Sequence, residues 1–103
     1  MDVVVAAATP WGRGALAVVR LSGPGLDEVL GQICGPITGV PLDAGRPRRV
    51  RFRDAAGVFD DGVALVGRAP ATYTGEDTAE LTCHGNPLVV ERLVTAAVSA
   101  GAR

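Results

Sequence analysis

The 103 residues, 48% of them hydrophobic, suffice for one buried core and leave no room for a second lobe. A formal charge of −1 sets up no global field toward nucleic acid or membrane, and 4% aromatic content leaves no stacking platform for single strands. All ten basic residues are arginine, which excludes Schiff-base chemistry and a Walker-type phosphate lysine in this chain.

The first residues, MDVVVAAATP, lack the positive region of a secretory signal. No segment approaches the ~20 apolar residues that span a bilayer. Cys34 and Cys83 therefore read as free thiols of a cytoplasmic protein. Residues 3–7 form a short β-branched run and are expected to be a buried strand. Trp11 to Gly14 is a glycine turn, and residues 15–21 are a second strand interrupted by Arg20. Ser22 to Gly25 signals helix entry. Asp27 and Glu28 complement the dipole of a helix whose apolar stripe is Leu26, Val29, Leu30 and Ile33, with Gly35 as its C′ residue.

Residues 36–47 are rich in glycine and proline and read as a loop. Residues 48–53 alternate, with Val50 and Phe52 on one side and Arg49, Arg51 and Arg53 on the other. Asp54 to Gly57 reads as a hairpin turn into a strand near residues 63–66. Residues 78–83 alternate again, with Ala79, Leu81 and Cys83 opposite Thr78, Glu80 and Thr82. Asn86 and Pro87 open a second helix, buried through Val90, Leu93, Val94, Ala97 and Val98 and ended by Gly101. The order ββαβββα predicts an α+β domain, two helices packed on a mixed sheet.

Five features invite a chemical reading. Gly12, Gly14 and Ala17 fit a loose G-x-G-x-x-A, but they precede a strand, whereas a dinucleotide fingerprint opens a helix. The better reading is a turn that lets backbone approach another segment or a ligand. Cys83 and His84 are adjacent on a strand and face opposite ways, so they form no dyad. Without C-x-x-C spacing no metal site is assigned. The arginines at 46, 48, 49, 51 and 53 either solvate a sheet edge or contact an acidic partner such as RNA. Glu80 is either a solvated strand carboxylate or a reader of two parallel N–H groups, such as a pterin edge. Arg20 is either a snorkelling edge residue or a carboxylate clamp.

Two stretches, ATPWGRGALAVVRLSG (residues 8–23) and YTGEDTAELTCHGN (residues 73–86), together resemble the N-terminal domain of the tRNA modification GTPase family MnmE, also called TrmE. Thr9, Pro10, Gly12, Gly14, Arg20, Ser22 and Gly23 carry the first motif; Pro70, Tyr73 to Asp77, Glu80, His84 and Gly85 carry the second. The resemblance covers residues 1–103 as one domain. It implies a fold like the folate-binding domain of aminomethyltransferases and a tetrahydrofolate derivative as cofactor, in the 5-formyl or 5,10-methylene form. It further implies a homodimer, a flavoprotein partner, and work on the wobble uridine of tRNA within the full assembly. Carried over residue by residue, Arg20 and Glu80 contact the folate, Glu80 on the pterin side, and the Gly12–Gly14 turn with Tyr73, Thr74 and Gly75 shapes the pocket or interface. No catalytic residue and no metal ligand is assigned.

The family pattern continues beyond Ala102 and Arg103, so a truncated domain is expected. No G-x-x-x-x-G-K-[ST] occurs here, so these residues are not expected to hydrolyse GTP. The alternatives are a purely structural dimerisation or docking module, and a small enzyme related to aminomethyltransferases. The absence of lysine and the single histidine argue against the last.

Overall fold

The computed structural model of the chain describes residues 3–8, 14–36 and 44–103. Six strands and two helices follow the order β1 (Val4–Ala7), β2 (Leu16–Ser22), α1 (Leu26–Ile33), β3 (Cys34–Pro36), β4 (Arg48–Asp54), β5 (Gly57–Gly67), β6 (Thr78–His84) and α2 (Pro87–Ser99). The strands form one sheet in the order β1-β2-β6-β5-β4-β3, and every ladder is antiparallel. The α+β class expected from sequence is thus the observed one. The mixed character expected of its sheet is confined, among the described residues, to an isolated parallel bridge between Ala44 and Val66.

Alternation decides which face is covered. On β2, Ala17, Val19 and Leu21 are buried; on β6, Ala79, Leu81 and Cys83; on β4, Val50 and Phe52. These side chains meet α1 and α2. The first helix packs on β3 and β4, and the second on β1, β2, β4 and β6. Fully burying a side chain such as Phe52 or Leu81 stabilises by about 1.5–3 kcal/mol, and the contiguous apolar face makes that gain collective.

Helix entry follows the sequence signals. The Asn86 side chain accepts a hydrogen bond from the Leu88 N–H at 2.9 Å, with Pro87 in the first helical position. Asp27 and Glu28 stand in the first turn of α1. Four local readings change. First, β1 is an edge strand, not a buried one: Val3 and Val5 turn toward the core, but Val4 is 48% exposed. A β-branched run suits an edge as well as a centre. The outer side of β1 exchanges backbone hydrogen bonds with Arg103, from Val5 N–H at 3.0 Å and to Val3 C=O at 2.8 Å.

Second, Gly35 follows the C-cap Cys34 but is not among the left-handed glycines; it continues β3 instead. Cys34 turns the backbone extended at once and starts β3. The freed helix carbonyls of Gly31 and Gln32 accept from the Arg53 guanidinium at 2.7 and 3.3 Å. A long-range cap of this kind has no local sequence signal. Third, the inner stripe of α2 is Val90, Leu93, Ala96 and Ala97, and Val98 is exposed. Small alanines let the helix sit close to the sheet, which a pattern weighted to large side chains misses. Fourth, β5 runs eleven residues, far beyond 63–66. Its first half, rich in aspartate and glycine, is extended because β4 pairs with it across the Asp54 to Gly57 hairpin. The turn from Trp11 to Arg13 lies outside the described residues.

Candidate functional site

The helices cover one face of the sheet; the other carries the polar chemistry. Cross-strand register arranges that open face in rows. Ser22 stands beside Thr78 and Gly67, Arg20 beside Glu80 and Leu65, and Val18 beside Thr82 and Val63. The strand pairing therefore places Arg20 against Glu80, although sixty residues separate them. Arg20 Nε donates to Glu80 Oε2 at 2.9 Å. The pair is well exposed, so its ion pair contributes about 0–1 kcal/mol and is retained for little by way of stability. One contact is made, and Glu80 Oε1 has no hydrogen-bond partner among the described residues.

Glu80 lines a cleft of about 470 Å³. Leu65, Gly67 and Thr78 form its floor, Ala44, Gly45 and Arg68 a margin, and Ala71, Thr72 and Tyr73 its roof. The roof is the loop of residues 68–77, and its fastenings explain the acid-rich motif. Arg68 makes a two-point pair with Asp27 at 3.0 and 3.0 Å and reaches Asp77 at 3.3 Å. Bonding to Asp27 raises the Arg68 pKa above its ordinary value. The Asp77 carboxylate also accepts from the Ala69 N–H at 2.9 Å, and its carbonyl accepts from Gly23 N–H at 2.9 Å. Thr74 Oγ1 lies 2.9 Å from Ser22 Oγ, fastening the loop tip to β2.

Gly67 is where the roof meets the floor. A Cβ there would lie 2.9 Å from Thr78 Oγ1 and 3.0 Å from Thr72 Cγ2. Tyr73 is fully exposed at the mouth, with its ring free to lie on whatever enters. Gly75 has φ 79 at the loop tip, the left-handed region. Of the five residues expected at a site, Glu80 and Tyr73 thus line the cleft, Arg20 holds Glu80 from the neighbouring strand, and Thr74 and Gly75 shape the loop. Thr72, Leu65, Arg68 and Asp77 were not singled out as site residues; the last belongs to the motif and fastens the loop at its base.

A larger hollow, about 670 Å³, lies at the helix C-termini beside Gly31, Arg53, Asp54, Thr95 and Ser99. Its ionic groups are already engaged. Arg53 serves α1, and Asp54 binds Arg92 at 2.6 and 3.0 Å, which holds the carboxyl below its usual range. Arg92 also lies 4.6 Å above the Phe59 ring. This hollow is built from structural contacts and offers less to a polar ligand than the smaller cleft.

The remaining candidates resolve by geometry. Arg53 leaves the expected row of three arginines at a bulge between Phe52 and Arg53 and caps α1, leaving Arg49 and Arg51 exposed. Gly14 N–H donates to Gly85 C=O at 3.1 Å, so the glycine turn meets another chain segment and precedes a strand. Of these two glycines it is Gly85 that tolerates no side chain, because a Cβ there would lie 2.2 Å from the Gly14 carbonyl oxygen. Cys83 is buried and His84 exposed, as opposite strand faces require. Burial pushes both the Cys34 and Cys83 thiols up to about 11. The His84 ring meets Asp60, Nδ1 to Oδ1 at 2.6 Å, while its backbone N–H donates to Asp60 Oδ2 at 3.0 Å. Asp61 stands within the same group, whose ligand-type atoms lie within 4.8 Å of one another. Asp60 raises the His84 pKa, and the two side chains already satisfy each other.

The sequence matches the family described as "GTP-binding protein TrmE N-terminus" over residues 3–103. The chain belongs to this family. TrmE-family relatives include the tRNA modification GTPase MnmE of Halorhodospira halophila, 46% identical over 103 residues, which cover 99% of this chain and 21% of that protein. Those of Herminiimonas arsenicoxydans and Chlorobium chlorochromatii are each 42% identical, covering 96% and 99% of this chain and 22% and 23% of theirs. The chain thus spans about a fifth of the length of these TrmE-family relatives. No helix among the described residues is long and apolar enough to cross a membrane.

Proposed function

We propose that the chain is the tetrahydrofolate-binding and dimerisation module of a tRNA modification GTPase acting on the wobble uridine. The observation that carries this reading is Glu80, a carboxylate with one oxygen held by Arg20 and the other open in a cleft of about 470 Å³. That volume falls in the ~300–1,000 Å³ range of small-molecule sites. Open Oε1, together with the second lone pair of Oε2, suits a planar edge of ring N–H and amino groups, Leu65 offers an apolar floor, and Tyr73 offers a ring at the mouth. Arg20 orients Glu80, and its terminal nitrogens remain available for a polar substituent. When bound, the folate, in the 5-formyl or 5,10-methylene form, supplies a one-carbon unit. This chain binds and orients that carrier, and the modification proceeds in the wider assembly with a flavoprotein, in the cytoplasm.

Calorimetric titration with 5-formyltetrahydrofolate tests it. The chain binds, and Glu80→Gln weakens binding about ten- to a hundred-fold, the loss typical of a charge-assisted hydrogen bond. Equal binding by both removes Glu80 from the site, and no binding by the folded chain overturns the folate reading. A second reading, a docking and dimerisation module without folate, draws on exposed Val4 and Leu16. Light scattering that finds ligand-independent dimers, together with no folate heat, selects it.

A further inference from the structure

The arginines divide into those with structural partners and those without. Arg20, Arg53, Arg68 and Arg92 are each bonded to a named carboxylate or carbonyl. Arg46, Arg49 and Arg51 are exposed and make no hydrogen bond or ion pair among the described residues. Their placement is not scattered. Val50 and Phe52 are fully buried on the helix side of β4, so Arg49 and Arg51 stand on the opposite, open face, the face of Glu80. Arg46 follows Gly45, which lines the cleft.

Register measures the separation. Arg49 pairs with Val63, Val63 with Thr82, and Leu65 with Glu80. From Glu80 to Arg49 is two strands across and two residues along, about 10 Å by 7 Å, hence ~12 Å between Cα atoms. Arg51 lies one further step along, at ~17 Å. Leu65 and Val63, both half-buried, are the floor between them. The open face therefore reads, in order, a carboxylate, an apolar strip and a row of unpaired guanidinium groups. Arg49 and Arg51, ~7 Å apart on one strand face, repel each other; Asp61, the register partner of Arg51, offsets part of that charge, whereas Arg49 faces Val63.

We propose that Arg46, Arg49 and Arg51 bind the carboxylates of a poly-γ-glutamate tail on the folate whose pterin sits at Glu80. The inference rests on the folate reading and adds to it a preference for polyglutamylated carriers. The order of groups on the face is the order of groups in the ligand: pterin, aryl linker, then one carboxylate for each added glutamate. A guanidinium takes a carboxylate through two parallel N–H bonds, so a row of them matches a chain of carboxylates. RNA phosphates would also neutralise the row, but Arg49 stands one register row beyond Glu80 and Leu65 at the edge of the cleft, and the aromatic side chain nearest the cleft, Tyr73, lies at its roof rather than interleaved with the arginines.

The test compares 5-formyltetrahydrofolate carrying one and five glutamates, titrated into the chain and into the Arg49→Ala/Arg51→Ala double variant. In the parent chain the pentaglutamate binds roughly tenfold tighter, as two or three exposed ion pairs allow, and the advantage shrinks as salt rises. In the double variant the ratio falls toward one while the monoglutamate still binds. A ratio of one in the parent, or an unchanged ratio in the variant, with monoglutamate binding intact, overturns the tail site and leaves the folate site standing. If transfer RNA binding drops in the variant while the parent ratio is one, the row belongs to RNA. If neither folate form binds the folded parent, both readings fall.

Discussion

Strand β6 has two faces with different tasks. Ala79, Leu81 and Cys83 are sealed under the helices, while Thr78, Glu80 and Thr82, one residue out of step, face the cleft side and are half-exposed. The same seven residues thus serve core and site, and the pleat keeps the two apart. The difference teaches that the site's position is fixed by packing on the other side of the sheet. Register against β2 brings Arg20 to Glu80, and register is set by burying Val19 and Leu21 beside Leu81 and Ala79.

The sharpest break in that comparison is a substitution on the sealed face. Leu81→Ala removes a fully buried side chain and is expected to cost about 2–5 kcal/mol, read by urea denaturation. Thr82→Ala, its neighbour on the open face, is expected to stay within about 0.5 kcal/mol. Comparable losses at both positions would show that the open face is packed against something and is not a free surface.

That contrast also explains what the sequence could and could not reveal. Alternation in residues 48–53 and 78–83 assigned faces correctly at every position but Arg53, because burial of one face is a local, period-two signal. The caps of α2 were equally local, since Asn86 and Pro87 act on the next turn of chain. What escaped was non-local. The end of α1 depends on Arg53 reaching back from β4, the length of β5 on its hairpin partner, and the edge position of β1 on the order of strands. At the site, Glu80 and Arg20 stood out singly, but their pairing is a product of register. The fastening of the loop by Arg68, Asp27 and Asp77 joins three segments that no spacing rule connects.

A smaller effect is expected where the open face meets its roof. Gly67→Ala places a methyl group against Thr72 and Thr78, both short β-branched side chains with little room to give way, so the loop lifts and the core is untouched. Stability should fall by about 1 kcal/mol, the low end for overpacking. Amide shifts of residues 71–75 should move, and 5-formyltetrahydrofolate should bind more weakly. An unchanged cleft with undisturbed shifts would show that the loop does not rest on the floor through this contact.

The smallest effect belongs to the end of β6, where the separation of faces gives out. His84 follows buried Cys83 and turns its ring to Asp60 on β5, with Asp61 close by. The Asp60 carboxylate favours the imidazolium, so the folded pKa of His84 stands above 6.5. A raised histidine pKa means that the pair's contribution is complete below the unfolded value of about 6.5 and is lost as pH rises through the folded one. Because the ring is well exposed, the gain is slight, and the titration itself is the better measurement. Nuclear magnetic resonance of the His84 ring should give a midpoint above 6.5, and Asp60→Asn should bring it down. A midpoint unmoved by that substitution would mean that Asp61, or the strand end itself, holds the proton, and that the Asp60 contact only orients the ring.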